Sequence, residues 1–313
     1  MSLRLFATFA LQNSIIKKYL FLSLSVFSLF IFIGCSQKRA ISDKPTVTVS
    51  VIPQKFFVDQ IAGDWLYVNV MVPPGGNPHT YEPTPMQMKS LSNSLAYFSI
   101  GYITFETAWM DKLVSVSPKM KVIDTSVGCE LLAEDAWCEE HTELDGSTTR
   151  HESYNPHIWL SPKLVKIQAQ IIYEALSELY PEHKQSMEQN INRFLAQCDS
   201  VHSSLDTIMN SSSGTSFIVY HPVWTYLAKD YNLKQIAIEY NGKEATADKL
   251  KNIIDFANKN DIRFIFVQKE FSDAQARTIA EQINGRVVSM NPLNYDWFTT
   301  MKEFGEAFQA IKN

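Results

Sequence analysis

Apolar and polar positions repeat along this chain at two periods, a short one typical of strands and a longer one typical of helices. Residues 46–52 (TVTVSVI) and 65–72 (WLYVNVMV) are rich in β-branched and aromatic side chains and read as strands, with a helical turn near residues 56–62 between them. The run Pro73-Pro74-Gly75-Gly76-Asn77-Pro78-His79 holds too much proline and glycine for regular structure, and Thr84-Pro85 then supplies a cap and a first-turn proline for a helix. Residues 96–100, the amphipathic stretch 105–116 and residues 121–125 continue the rhythm of strand, helix and strand. Such alternation predicts a parallel sheet covered by helices on both faces.

From Pro181 the pattern changes. Met187, Ile191, Phe194, Cys198, Val201, Leu205 and Ile208 are spaced alternately by four and three, which places them on one stripe of a helix of about 28 residues, or roughly 42 Å. A lone coiled-coil strand would want charge-paired flanks, which this segment lacks, so a helix running along two lobes is the expectation. Ser211-Ser212-Ser213-Gly214 ends it. Residues 217–220 then form a strand running into His221, and Pro222 opens a helix reaching about Asn232. Residues 233–238, 263–267 and 287–290 read as further strands. Between them lie a helix capped by Thr246 and another capped by Ser272, with Gln275 in capping-box register. Asn284-Gly285 supplies a left-handed cap, and residues 295–311 close the chain as a helix. The expected fold is α/β, with lobes at residues 46–181 and 211–313 joined by a helix over 182–210.

The N-terminus departs from this rhythm. Lys17 and Lys18 precede a 15-residue apolar run without charge, residues 19–33, closed by Gly34-Cys35. A bilayer span needs about 20 apolar residues, so the run reads as the core of an export signal over residues 1–34, with a short uncleaved anchor as the alternative. Phe32-Ile33-Gly34-Cys35 resembles a bacterial lipobox, in which the cysteine is acylated; residues 35–45 then form a tether. Both readings put the rest of the chain outside the cytoplasm. Loss of Arg4, Lys17 and Lys18 with the signal leaves 25 basic against 33 acidic residues, which argues against nucleic acid as a partner.

Cysteine usage suits an exported protein. Cys129 and Cys138 flank a short loop that an oxidising compartment would allow to be bridged, whereas Cys198 falls on the apolar helical stripe. The acidic stretch that starts at Cys129 has its own interest: residues 129–152 hold eight acids, one arginine, His141 and His151. It reads either as a solvated, mobile loop or as a weak auxiliary metal site.

Three of the seven histidines share a context, each at the end of a strand or before a helix: Asn-Pro-His79, Asn-Pro-His157 and Val-Tyr-His221-Pro. Separations of 78 and 64 residues exceed any zinc-finger or HExxH spacing, so only a folded pocket brings them together. In open parallel sheets ligands bind beyond the carboxyl ends of the strands. The expected site is therefore a cleft, with His79 and His157 from the first lobe and His221 from the second. His183 and His202 are expected on exposed helix faces.

Gly75 to Pro83 (GGNPHTYEP), Asn155 to Pro162 (NPHIWLSP) and Tyr220-His221-Pro222 with Tyr226 and Tyr231-Asn232-Leu233 resemble the three motifs of the zinc- and manganese-binding solute-binding proteins of ABC importers. The resemblance runs from about Val47 to the C-terminus. It implies two α/β lobes joined by one long rigid helix, metal ligands at His79, His157 and His221, and partnership with a permease and its ATPase. Two positions depart from the family's pattern. Asn155 stands where the family usually has aspartate, and Asn291 stands where several members have an aspartate ligand. The fourth metal position is then water, Asn291 through its carbonyl oxygen, or a carboxylate such as Glu82 or Glu270. Three imidazoles without an acid favour Zn²⁺ over Mn²⁺, with copper and nickel also accepting such donors. Because protonated imidazole cannot ligate, zinc affinity is expected to fall steeply between pH 7 and 5, and flat affinity across that range would count against a histidine site. A monomer is expected. A zinc hydrolase is the competing reading, but no HExxH or nucleophile elbow supplies a base beyond Glu82. A surface adhesin is a third, without a recognisable protein-binding face.

Overall fold

A computed structural model of the chain describes residues 44–133, 154–210, 214–239, 244–271 and 273–312. Residues 1–43, with Cys35, and residues 134–153, with Cys138, His141 and His151, lie outside these residues. No helix among the described residues is long and apolar enough to cross a membrane.

The first sheet contains β1 (Thr46–Val49), β2 (Tyr67–Val70), β3 (Ser94–Ser99) and β4 (Lys121–Asp124), in the order β2-β1-β3-β4 and all parallel. Its helices are α1 (Ile52–Ala62), α2 (Pro85–Leu91) and α3 (Thr104–Val116). Thr84 caps α2 as expected: its hydroxyl accepts from the Gln87 amide, while Gln87 reaches back to the Thr84 amide. The segment near Phe56 is a full helix of three turns, because Pro53 lies in its first turn and Gln54 caps it through the Ser50 and Val51 amides.

The second sheet repeats the plan with β5 (Ser216–Val219), β6 (Lys234–Ala237), β7 (Phe264–Gln268) and β8 (Arg286–Met290), ordered β6-β5-β7-β8 and again parallel. Around it lie α6 (Thr225–Asp230), α7 (Ala247–Lys259), α8 (Ala274–Gln282) and α9 (Trp297–Lys312), after α4 (Pro162–Leu179) and α5 (Lys184–Asn210). Two helix starts differ from expectation. Pro222 does not open α6, which begins three residues later, since the Pro222 carbonyl accepts from Asn155 and Thr225 instead. Ser272 lies outside the described residues, and α8 has Asp273 at its N-cap; the Gln275 carboxamide bonds the backbone of Ala245. At the other end of α8, Asn284 takes the left-handed conformation (φ 50°). Gly285 follows it so closely under β7 that a Cβ there would lie 2.5 Å from the Arg263 carbonyl oxygen.

The long helix α5 packs against α4, against α1 of the first lobe and against α9 of the second. Met187, Ile191, Phe194, Cys198, Leu205 and Met209 are buried along it, with Val201 and Ile208 half-buried at the margin of the stripe. Alternation along the strands divides the apolar side chains between layers. Val47, Val49, Ala96, Phe98, Phe217 and Val219 face a single core that runs through both lobes and includes α5. The opposite faces are covered separately, Tyr97 and Met71 by α2 and α3, Ile218 and Ile265 by α7 and α8.

Candidate metal centre

Both sheets reverse strand order at their second strand position, and chain segments leaving the C-terminal edges there converge between the lobes. His221 leaves β5 directly. His79 sits in the loop after β2, where Asn77 folds back to accept the His79 amide (2.9 Å). His157 precedes the short 3₁₀ turn Ile158–Leu160 that leads into α4, whose N-cap is Ser161.

The three rings meet. Their centroids lie 4.7 Å (His79–His221), 5.3 Å (His157–His221) and 6.0 Å (His79–His157) apart, and one nitrogen from each lies within 4.8 Å of the others. Zinc with Zn–N bonds of about 2.0–2.1 Å and tetrahedral angles sets its nitrogens about 3.4 Å apart, so small ring movements close the set on an ion. Every Nδ1 is already engaged. His79 Nδ1 meets the Thr104 hydroxyl (3.1 Å), His157 Nδ1 meets Asn155 Oδ1 (2.9 Å), and His221 Nδ1 meets the Glu239 carboxylate. Nε2 is therefore the nitrogen left to each ring, and that of His221 is buried without a hydrogen-bond partner. Phe271 stacks on His221 and Trp159 tilts against His157, which fixes ring orientation.

Burial favours the neutral imidazole, the form that ligates, at His79 and His157. Burial first, then the neighbouring His221, pushes His79 down to about 4. His157, buried and beside both other rings, is held well below the ordinary histidine value, chiefly by burial.

Other sequence expectations meet different outcomes. Glu82 is exposed and Glu270 half-buried, and neither joins the cluster. The carboxylate at the site is Glu239, which the sequence reading missed. Its signal was register: Val219 pairs with Ala237, so the residue two beyond each strand puts Glu239 beside His221. Asn291 turns its carbonyl oxygen to the Leu293 amide (3.1 Å). Asn155 is more than an altered aspartate. Its oxygen accepts from the His157 amide as well as facing the ring, while its Nδ2 donates to the Pro222 carbonyl (3.1 Å) and the Thr225 hydroxyl (3.0 Å). A carboxylate oxygen in place of that Nδ2 would face a carbonyl, which explains the amide. These bonds, with Tyr226 Oη to the Asn155 carbonyl and Trp159 Nε1 to the Pro292 carbonyl, tie His157 to second-lobe elements rather than to the first sheet. His183 stacks on Trp65 and His202 meets the Tyr231 hydroxyl, so neither is a bare surface residue.

The profile of the periplasmic zinc-uptake complex component A family, ZnuA, matches residues 47–310. The chain belongs to the ZnuA family. A crystal structure of ZnuA superposes with a TM-score of 0.79 at 37% identity, covering 87% of this chain and all of that one; a zinc-bound deletion mutant of ZnuA gives 0.78 at 38%, covering 86% of this chain and 98% of that one. The zinc-binding lipoprotein AdcA of Streptococcus pneumoniae is 28% identical over 280 residues, 88% of this chain and 55% of AdcA, so the chain spans about half the length of that relative. A putative metal-binding protein of Chlamydia trachomatis is 27% identical over 89% of this chain and 96% of its own length. Family membership places the chain with the zinc-uptake complex component A proteins, and its two-lobed architecture superposes on that of ZnuA.

Proposed function

We propose that this chain captures extracytoplasmic Zn²⁺ with His79, His157 and His221 and delivers it to an ABC permease driven by a cytoplasmic ATPase. The observation that carries the ligand assignment is the convergence of three imidazoles whose Nδ1 atoms are all taken, leaving one nitrogen on each ring within 4.8 Å of the others. Glu239 acts through His221 in the manner of a carboxylate–histidine–zinc relay, fixing the tautomer and the ring orientation. Water completes the tetrahedron, since Asn291 spends its oxygen on its own turn. An all-imidazole set is a better match for zinc than for manganese, whose sites favour carboxylate oxygen. Export with acylation at Cys35 would hold the protein, as a monomer, at the membrane that houses the permease. The relevant bodies are residues 46–181 and 211–313, with 182–210 as the connecting helix.

The test is metal content and competitive affinity for Zn²⁺ against Mn²⁺, measured on a fragment starting at Ser36. The comparison is a variant with His79, His157 and His221 all replaced by alanine. One tightly held zinc per chain, absent in the variant, is the expected result; equal binding by both proteins would refute the ligand assignment. Uptake of zinc by cells depleted of this chain alone, compared with cells restored with the triple variant, checks the transport role.

A further inference from the structure

Two acidic side chains are buried among the described residues, Glu239 and Glu106, and the second plays no part in the site as described so far. Glu106 lies in the first turn of α3 and turns its carboxylate back onto the C-terminal edge of the first sheet. One oxygen accepts from the Ile100 amide (2.8 Å) and the other from the Gly101 amide (2.7 Å), both just beyond β3. The Ser50 hydroxyl, just beyond β1, also bonds the first oxygen and in turn meets the Tyr97 hydroxyl (2.6 Å). The carboxylate therefore clasps the ends of two adjacent strands at the point where the sheet reverses its order. Burial pushes this carboxyl up to about 7, against the pull of the Ser50 hydroxyl and the two amides. A charged group is costly in such a place and gains its hold only through those converging donors.

The two residues before it face the metal loop. The Phe105 amide donates to the Pro78 carbonyl (3.0 Å), and the Thr104 hydroxyl meets His79 Nδ1 (3.1 Å). Three successive residues thus connect the strand ends, the loop backbone and the ligand ring. We propose that Glu106 is a positioning residue for metal capture: by pinning the first turn of α3 to β1 and β3 it sets Thr104, and through Thr104 the orientation of the His79 ring. This rests on the three-histidine reading of the site.

A double-mutant cycle in competitive zinc titrations tests it. Glu106→Gln keeps one acceptor oxygen but turns an NH₂ group toward a backbone N–H, and is expected to weaken zinc binding about tenfold, the lower end of the range for outer-shell partners of metal ligands. In a His79→Ala background the same change should cost nothing further, because its route to the metal is already cut. Ile253→Ala, in the buried face of α7 on the second lobe, serves as a variant of lowered stability and should leave affinity unchanged. An equal loss from Glu106→Gln in both backgrounds would overturn the proposal and leave the site intact, as would unaltered affinity. If His79→Ala itself has no effect, the three-histidine reading fails and this proposal falls with it. Should Glu106→Gln not fold, Thr104→Val at its exposed position takes its place in the cycle, with loss confined to the intact-His79 background expected and unchanged affinity overturning the route.

Discussion

Each imidazole of the triad is held at Nδ1 by a different kind of group: a hydroxyl at His79, a carboxamide at His157 and a carboxylate at His221. The three bonds are not equivalent in strength, and the carboxylate is the strongest holder. Glu239→Ala is expected to lower zinc affinity by about 10- to 100-fold, with Glu239→Gln losing less because its oxygen still accepts from Nδ1–H; isothermal titration with a competing chelator reads both. The pH dependence moves as well. In the unfolded chain His79 takes a proton near 6.5, while in the fold it refuses one until about 4. The sign is that of a base with a depressed pKa: the metal-free protein loses stability as pH falls from 6.5 through 4, and protons compete with zinc at His79 only near the bottom of that window. His79 and His157 therefore keep the form that ligates between pH 7 and 5, in contrast to the steep loss expected from the sequence, and the part of zinc affinity that depends on His79 should drop only below about pH 5. A steep fall between pH 7 and 6 in the same titration would contradict the burial of these rings.

Among the elements, the end of α8 meets β7 and β8 in a close junction. Gly285 presses against the Arg263 backbone, and the next amide, of Arg286, bonds that same carbonyl (2.8 Å) as β8 begins. Gly285→Ala would put a methyl group 2.5 Å from backbone oxygen that cannot swing aside, so a loss of about 1–3 kcal/mol is expected in urea unfolding. Gly305→Ala is a useful contrast, since its Cβ would meet only the side-chain ends of Ile208 and Leu205 at 3.0 and 3.1 Å, which can yield. Most of these elements were legible beforehand, because strands such as 46–52 and the stripe from Met187 to Leu205 carry a strong period. Boundaries failed where a tertiary bond outweighed local preference, as at Pro222, whose carbonyl is taken by Asn155, and at Gln275, whose carboxamide is drawn to Ala245. The histidines were visible through their proline contexts. Glu239 was not, since its place beside His221 follows from pairing between β5 and β6, and no local pattern around residue 239 encodes that pairing.

For the molecule as a whole, the lobe assignment of His157 changes the picture most. Read along the chain it belongs to the first lobe, yet Asn155, Trp159 and Ser161 fasten its segment to Pro222, Thr225, Pro292 and Asp230. His79 is the histidine held from the first sheet's side, so the three rings divide one against two. The inner core makes that division a modest one, because apolar side chains from both sheets, α1, α4, α5 and α9 belong to one unbroken cluster. Two halves that share their interior cannot melt in turn. Heating the metal-free protein should give a single calorimetric transition whose enthalpy matches the van't Hoff value, and zinc should move that one peak upward as RT ln(1 + [Zn²⁺]/Kd) without splitting it.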